Sequence, residues 1–455
     1  MTLRQVANTA YAAATDTNFD ALCQDYYMKS FESVIPELFP LIGWLKEEDR
    51  IQRVKPEGRY LVFDVQTSLG NGAGFRGEGD YLPTPHPVTN VQGKVPWMRG
   101  LKGRISMTAE SMDLREGAHS FANALTQETE GLMLEMKYLG SAALWGNGDG
   151  VLAKISGGVS NTEVVTLVST ETSTACYPGS RWLFEGMSVI GVQSTSAYAA
   201  DGTTGATTDF AISRRIAAID SDTSIDLASH VTTANNSLLL VEHQCANAAT
   251  AAELLKGSVT IGTAASYRGP MGINAAVDDG TFSSSYCGIS EATYPQWSSI
   301  ISSNSATLRA LTLDVISKMH RKMKRKLGTA APDVVGWTND DVYAEITSLL
   351  EHHVQFKPRE LKPGYNHWDV MLDGNTFNIK LDPMCPSYLY WLDPSVLVLA
   401  QKSGPTLADN HGSMWRFQQD LDSYEAVWRW QLQLFTTNRR KHAVIRDISR
   451  TIASV

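Results

Sequence analysis

Apolar residues recur most regularly over residues 118–145. Phe121, Leu125, Leu132, Met136, Leu139 and Ala143 fall at helical spacing, with Glu128, Glu130, Glu135 and Lys137 on other faces. That pattern predicts one long amphipathic helix, ended by the glycine-rich run Gly146-Asn-Gly-Asp-Gly150. A second stripe, Leu308, Leu311, Val315, Ile316, Met319, Met323 and Leu327, predicts another helix, and residues 340–350 a third, with a short strand at 333–337 between them. Alternation with a period of two is plainest at 426–434. Ala426, Trp428, Trp430, Leu432 and Leu434 face one way and Arg429, Gln431 and Gln433 the other, as in a long half-buried antiparallel strand. Residues 442–448 return beside it, and 367–372 and 376–381 flank Asp373-Gly374-Asn375, a hairpin signal.

Other stretches are defined by what they lack. Strands are predicted at 60–66 and 102–109, but between them stand glycines at 70, 72, 74, 77 and 79 and prolines at 83, 85 and 87. Neither helix nor central strand survives that density, and a structureless loop of such length in a compact domain implies a function. Residues 158–268 hold only ten acidic and five basic residues in 111, with β-prone runs at 163–168, 188–192, 210–219 and 237–242. They read as a small antiparallel barrel or sandwich inserted into the parent fold, peripheral and self-contained. Residues 1–55 read as an arm: 18–31 is helical in pattern, and the apolar run 35–45 is interrupted by Pro36 and Pro40. The arm is too short for a core of its own.

At 455 residues the chain is expected to form two to four domains. Its 43% hydrophobic and 19% charged residues fit a packed globular protein. A net charge of −9 argues against a protein that grips nucleic acid with its whole surface. The cysteines, Cys23, Cys176, Cys245, Cys287 and Cys385, are odd in number and lack C-x-x-C spacing, so neither a disulfide framework nor a zinc site is indicated, and synthesis in a reducing cytoplasm is expected. The first residues carry no basic-then-apolar signal, and no apolar run approaches the ~18 residues of a membrane span.

Several motifs invite a chemical reading. Gly72-x-Gly74-x-x-Gly77 matches the dinucleotide fingerprint and follows a strand, but that fingerprint needs a helix N-terminus next. The sequel Glu78-Gly-Asp-Tyr-Leu-Pro-Thr-Pro cannot open one, so the reading here is a mobile loop. Lys318, Arg321, Lys322, Lys324, Arg325 and Lys326 place six cations in nine residues. They are candidates for electrostatic contact with phosphate or with a neighbouring subunit, but Met319 and Met323 continue the apolar stripe through them, which favours the solvated end of an amphipathic helix. His352 and His353 are adjacent and cannot ligate one metal as an i, i+4 pair does. Asp278-Asp279 reads as a turn, and Asp340-Asp341 follows Asn339 as at a helix N-terminus. No catalytic, cofactor-binding or metal-ligating constellation emerges.

Taken in order, these segments resemble the tailed-bacteriophage major capsid proteins of the Hong Kong 97 type. Two stretches carry the likeness in detail. Residues 271–280 with Gly288-Ile-Ser-Glu-Ala-Thr-Tyr-Pro-Gln-Trp297 look like the entry to that family's A-domain, and 423–435 with 440–447 like its closing strand pair. The resemblance implies an α+β capsid fold. It would run as an N-terminal arm (1–55), an E-loop (56–107), a P-domain with its spine helix (108–157), an inserted β-barrel-like domain (158–268), an A-domain (269–410) and P-domain closing strands (411–455). It further implies a non-enzymatic subunit without cofactors, assembling as pentamers and hexamers into an icosahedral shell around double-stranded DNA, in the virion after assembly in the host cytoplasm. The implied partners are other copies, a separate scaffolding protein, a portal and decoration proteins, with DNA touched non-specifically and no membrane. Phe75, Arg76, Glu78, Asp80, Tyr81 and Leu82 would then be E-loop contacts between subunits. The competing expectations are a cellular nanocompartment shell, a phage tail component and, from another class, a nucleotide-dependent enzyme built on the glycine loop.

Overall fold

The computed structural model describes residues 39–53, 60–70, 73–75, 77–79, 81, 84, 87–96, 99–108, 124–148, 150–192, 214–233, 235, 237–241, 270–282, 285–328, 333–351, 367–372, 375–402, 404–407, 416–417 and 423–449. The expectations for residues 1–38, His352, His353 and the C-terminal residues from 450 lie outside that set, as does the first turn expected of the long helix.

The predicted alternation at 426–434 belongs to the strand Ser423–Thr436, the axis of a six-stranded sheet. Arg99–Thr108 pairs antiparallel along one edge over ten residues, with Arg429 opposite Lys102 and Trp430 opposite Leu101. Leu397–Gln401, Thr406–Leu407 and Arg416–Phe417 share the other edge. Up to residue 431 the strand is half-buried as its sequence predicts. From Leu432 onward both faces are buried, Gln433 included, because the strand there runs into the interior.

The helix Ala124–Trp145 lies on the inner face of this sheet. Contact is close where both elements are small: a Cβ on Gly103 would strike Leu132, and one on Gly140 would strike the Trp430 ring. Met136 is buried as its spacing predicts, but so are Leu134, Tyr138, Ser141, Ala142, Leu144 and Trp145. The C-terminal part of the helix is surrounded on nearly all sides, and a single stripe could not describe it.

The expected arm joins the core by residue 39. Pro40 opens the helix Pro40–Glu47 at its first turn, where a missing N–H costs nothing, and Leu41, Trp44 and Leu45 are fully buried. Trp44 and Trp145 both pack on Trp337, at ring-centroid distances of 5.3 and 6.1 Å. Ile51–Arg53 then pairs parallel with Leu397–Gln401. The proline taken as a breaker is a helix starter.

The low-charge region does form a six-stranded antiparallel sheet, ordered Ala153–Lys154, Leu238–Val241, Ser188–Val192, Arg214–Ser221, Ser224–Thr233, Val159–Thr166. It is not the peripheral, self-contained module expected of 158–268. Its first strand precedes residue 158, and its apolar side (Val165, Leu167, Trp182, Leu183, Met187, Val189) is continuous with the main core. Arg181 bonds Glu171 at 3.0 Å, Cys385 O at 3.0 Å, Ser387 Oγ at 3.3 Å and Asp341 at 3.4 Å. Trp182 Nε1–H donates to Met384 O, and the Tyr388 hydroxyl donates to Thr172 O.

A second core lies under a mixed sheet ordered Ile300–Ser302, Ala443–Ile445, Leu389–Leu392, Val335–Thr338, Asn375–Leu381, His367–Leu372. Ile316, Met319 and Met323 of the helix Leu313–Leu327 and Val342 and Ile346 of the helix Asp340–Glu351 fill it. The first of these helices begins later than its stripe suggested. Thr312 caps it, accepting from Val315 N, Leu311 is buried ahead of it, and Leu308 is exposed. Asn339 caps the second by accepting from Val342 N.

Candidate assembly surfaces

The hairpin Tyr60–Gln66/Asn90–Pro96 is built to be half attached. Its ladder runs in unbroken antiparallel register from Tyr60↔Pro96 to Gln66↔Asn90. Alternate side chains Leu61, Phe63 and Val65 turn toward the body with Val91 and Val95, while Val62, Asp64 and Gln66 are exposed. Phe63 stacks on Phe435 at 6.0 Å and meets Trp297 at 6.2 Å. Gln296 Nε2 donates to Thr67 O at 2.7 Å, and Lys94 N–H to Cys287 O at 2.7 Å. The ladder closes where Thr67 N–H and its hydroxyl both donate to Thr89 O.

Beyond that closure the described residues are exposed. Phe75, Tyr81 and Leu69 stand almost wholly in solvent and Val88 about half so, with Glu78 exposed beside them. Of the six predicted contact residues, Phe75, Glu78 and Tyr81 are therefore displayed together on one loop, while Arg76, Asp80 and Leu82 lie outside the described residues. Leu69 and Val88 were not singled out from sequence, since each sits beside polar or turn residues that masked it. Gly72 is likewise outside the described set. The next described regular element after Gly74 and Gly77 is the strand Asn90–Pro96, not the helix that a dinucleotide fingerprint requires.

The basic run, expected at the solvated end of an amphipathic helix, is partly tied to its own chain. Lys318 pairs with Asp314 one helical turn back. Lys322 Nζ donates to Ile301 O at 2.8 Å, and Lys326 Nζ to Ser298 O at 2.7 Å. Both cations thus tie the helix to the strand Ile300–Ser302 and its approach within their own chain. Burial, with Arg440 and Lys322 close by, pulls the Lys326 ammonium down to about 8 against the opposing pull of Asp279. Arg321 and Arg325 are exposed and Lys324 half-buried.

The paired aspartates are structural. Asp278 is fully buried, bonds Arg446 at 3.2 Å and accepts from Gly280 N and Phe282 N. Arg439, also fully buried, pairs with Glu291 and donates to Ala275 O and Ala276 O. Among the described residues there is no group of three or more His, Cys, Asp or Glu side chains placed to hold a metal ion, and no helix long and apolar enough to cross a membrane. Cys176, Cys287 and Cys385 are buried thiols.

A half-detached hairpin, a long helix under a sheet of long strands, and a separate mixed sheet with two helices together make an α+β fold. The capsid asymmetric unit of cyanophage A-1(L) shares it with a TM-score of 0.55 and 13% identity, over 94% of this chain and 98% of that one. The chain is also similar, more distantly, to the capsid asymmetric unit of cyanophage Pam1 (TM-score 0.47, 10% identity, 96% of this chain and 100% of that one). A holo-SrpI encapsulin complex from Synechococcus elongatus is more distant again (TM-score 0.41, 8% identity, 97% and 99%). No family model matches the chain, and no curated protein matches it in sequence.

Proposed function

We propose that this chain is a major capsid protein, a non-enzymatic subunit that assembles with its own copies into the shell of a virion. The observation that carries the reading is the hairpin. A fold shared with a cyanophage capsid subunit presents, past Thr67 and Thr89, a loop on which Leu69, Phe75, Tyr81 and Val88 are exposed. Exposed apolar residues gathered this way mark an interaction site. In a shell each loop contact is modest, but every subunit makes several, and multivalency supplies the stability. Phe75, Tyr81 and Leu82 would bury on a neighbour, with Arg76, Glu78 and Asp80 as charged contacts at the rim of that seam. A separate scaffolding protein, a portal and decoration proteins are the further partners, DNA would be enclosed without sequence-specific contact, and assembly would take place in the host cytoplasm.

Electron microscopy and sedimentation of the expressed full chain, alone and with its scaffolding partner, test this. Closed or tubular particles of megadalton scale are expected. A chain that stays monomeric under every such condition overturns the proposal.

A further inference from the structure

The outer face of the long-strand sheet, opposite the helix, carries a concentration of positive charge, of which only Arg104 has an ion pair among the described residues. Residues directly opposite each other in an antiparallel pair share a face. The register Arg429↔Lys102, Val427↔Arg104 therefore puts Lys102, Arg104 and Arg429 side by side. Lys402, whose N–H donates to Gln431 O, stands next to them at the end of the strand Leu397–Gln401. All four are exposed. Among the described residues of the six strands, the single carboxylate is Glu425, which lies 3.6 Å from Arg104. Arg429 and Lys102 are like charges in direct cross-strand opposition, an arrangement that destabilises a sheet.

We infer that this face binds the phosphate backbone of nucleic acid, without reading its sequence. The inference deepens the capsid reading by naming the surface that would meet enclosed nucleic acid. Charge complementarity selects the partner. Cations in rows about 5 Å apart across strands and about 7 Å apart along one strand suit a polyanion whose charges also come in rows. Such binding is driven by the release of condensed counterions. A protein partner fits less well, because protein interfaces centre on buried apolar anchors. Among the described residues the face offers only half-buried Val427, while large exposed apolar residues stand elsewhere, on the hairpin, at Val164 and Leu308, and at Phe417 and Tyr424, whose rings meet on the sheet's other side. The chain's overall acidity makes a local cationic face more distinctive.

The test uses the full chain and a fluorescently labelled random-sequence DNA duplex, with affinity followed by anisotropy across a range of salt concentrations. The combined variant Lys102→Gln, Lys402→Gln, Arg429→Gln should keep its circular dichroism spectrum. Its log–log salt dependence should be shallower by about 0.9 for each cation removed. Glu425→Gln should tighten binding, a change in the opposite direction that decides the matter even if the combined variant fails to fold. Lys318→Gln with Arg325→Gln, exposed cations on the basic helix, should leave the salt slope unchanged. An unaltered slope in the folded triple variant, or an equal loss in the helix pair, overturns the inference. So does loss of particles in electron micrographs with DNA affinity intact, which would mean an acidic protein surface docks here. Particles from the parent chain without any DNA binding would leave the capsid reading standing while removing this one.

Discussion

Phe63 lies directly across the hairpin ladder from Gly93, and its ring occupies the space where a Cβ at position 93 would be. The missing side chain lets the ring lie flat over the ladder and reach Phe435 and Trp297. Gly93→Ala should therefore lift the hairpin off the body. A cost of about 1–3 kcal/mol is expected from the overpacking, read as a lower urea midpoint with enhanced Trp fluorescence change near Trp297. A variant as stable as the parent would mean that the hairpin is not seated by this ring.

The hub at Arg181 predicts the behaviour of the low-charge region. Glu171 is almost fully buried and holds Arg181 at 3.0 Å while also accepting from Ser387 N. Arg181→Ala leaves that carboxylate without its cation, which typically costs about 3–5 kcal/mol. Replacing residues 158–268 by a short linker should do worse, removing the apolar faces of Trp182, Leu183 and Met187 from the shared core. Loss of a cooperative unfolding transition is the expected result. A linker variant that melts cooperatively near the parent temperature would restore the view of an independent module.

How much of this was legible in the sequence depends on the range of the interaction. The strands at 60–66, 188–192 and 426–434 announced themselves because alternation and bordering glycines act locally. The strand Ser224–Thr233 did not. Ile225 and Leu227 alternate, but irregular register between Asp226 and Val231 breaks the period, and its Ser, Thr and His residues read as turn. The attachment of that region was invisible, since Arg181 and Ser387 are 206 residues apart and nothing near either one signals the other. The exposed loop tip was legible from composition alone, because glycine and proline leave little to pack. The fate of Lys322 and Lys326 was not, because a backbone carbonyl acceptor leaves no trace in the sequence.

His442 predicts a pH response. It is fully buried, its Nδ1 accepts from Asp393 N at 3.2 Å, and its Nε2 lies 2.9 Å from Thr436 Oγ1, so the ring is held neutral with the proton on Nε2. Burial pulls it down to about 4, with Asp393 opposing and Arg439 and Lys441 assisting. The unfolded chain binds this proton near 6.5, the folded chain only near 4. Stability contributed by the neutral ring is thus complete above about pH 6.5 and lost as pH falls toward 4, by up to about 3 kcal/mol. Urea titrations of parent and His442→Gln across that range should show a steeper fall in the parent. Parallel curves would place the acid sensitivity elsewhere.

The hairpin tip gives the last prediction, and it separates folding from assembly. Below Thr67 and Thr89 the hairpin is fastened by the Phe63 stack and by Gln296. Above them Leu69, Phe75, Tyr81 and Val88 are exposed, so they add almost nothing to the stability of the subunit that carries them. Charged contacts from Glu78 across an exposed seam would add only about 0–1 kcal/mol each. Replacing residues 69–87 with a tight turn keeps the Thr67–Thr89 closure and removes only the displayed part. The melting temperature of the isolated subunit should stay within a few degrees of the parent while particles vanish from electron micrographs. Phe75→Ser with Tyr81→Ser should weaken assembly in the same direction without shortening the chain, because burial of each aromatic on a neighbour is the term removed. Normal particles from the shortened chain would show that the tip is not the seam, and a subunit that no longer folds would show that the tip belongs to its own core.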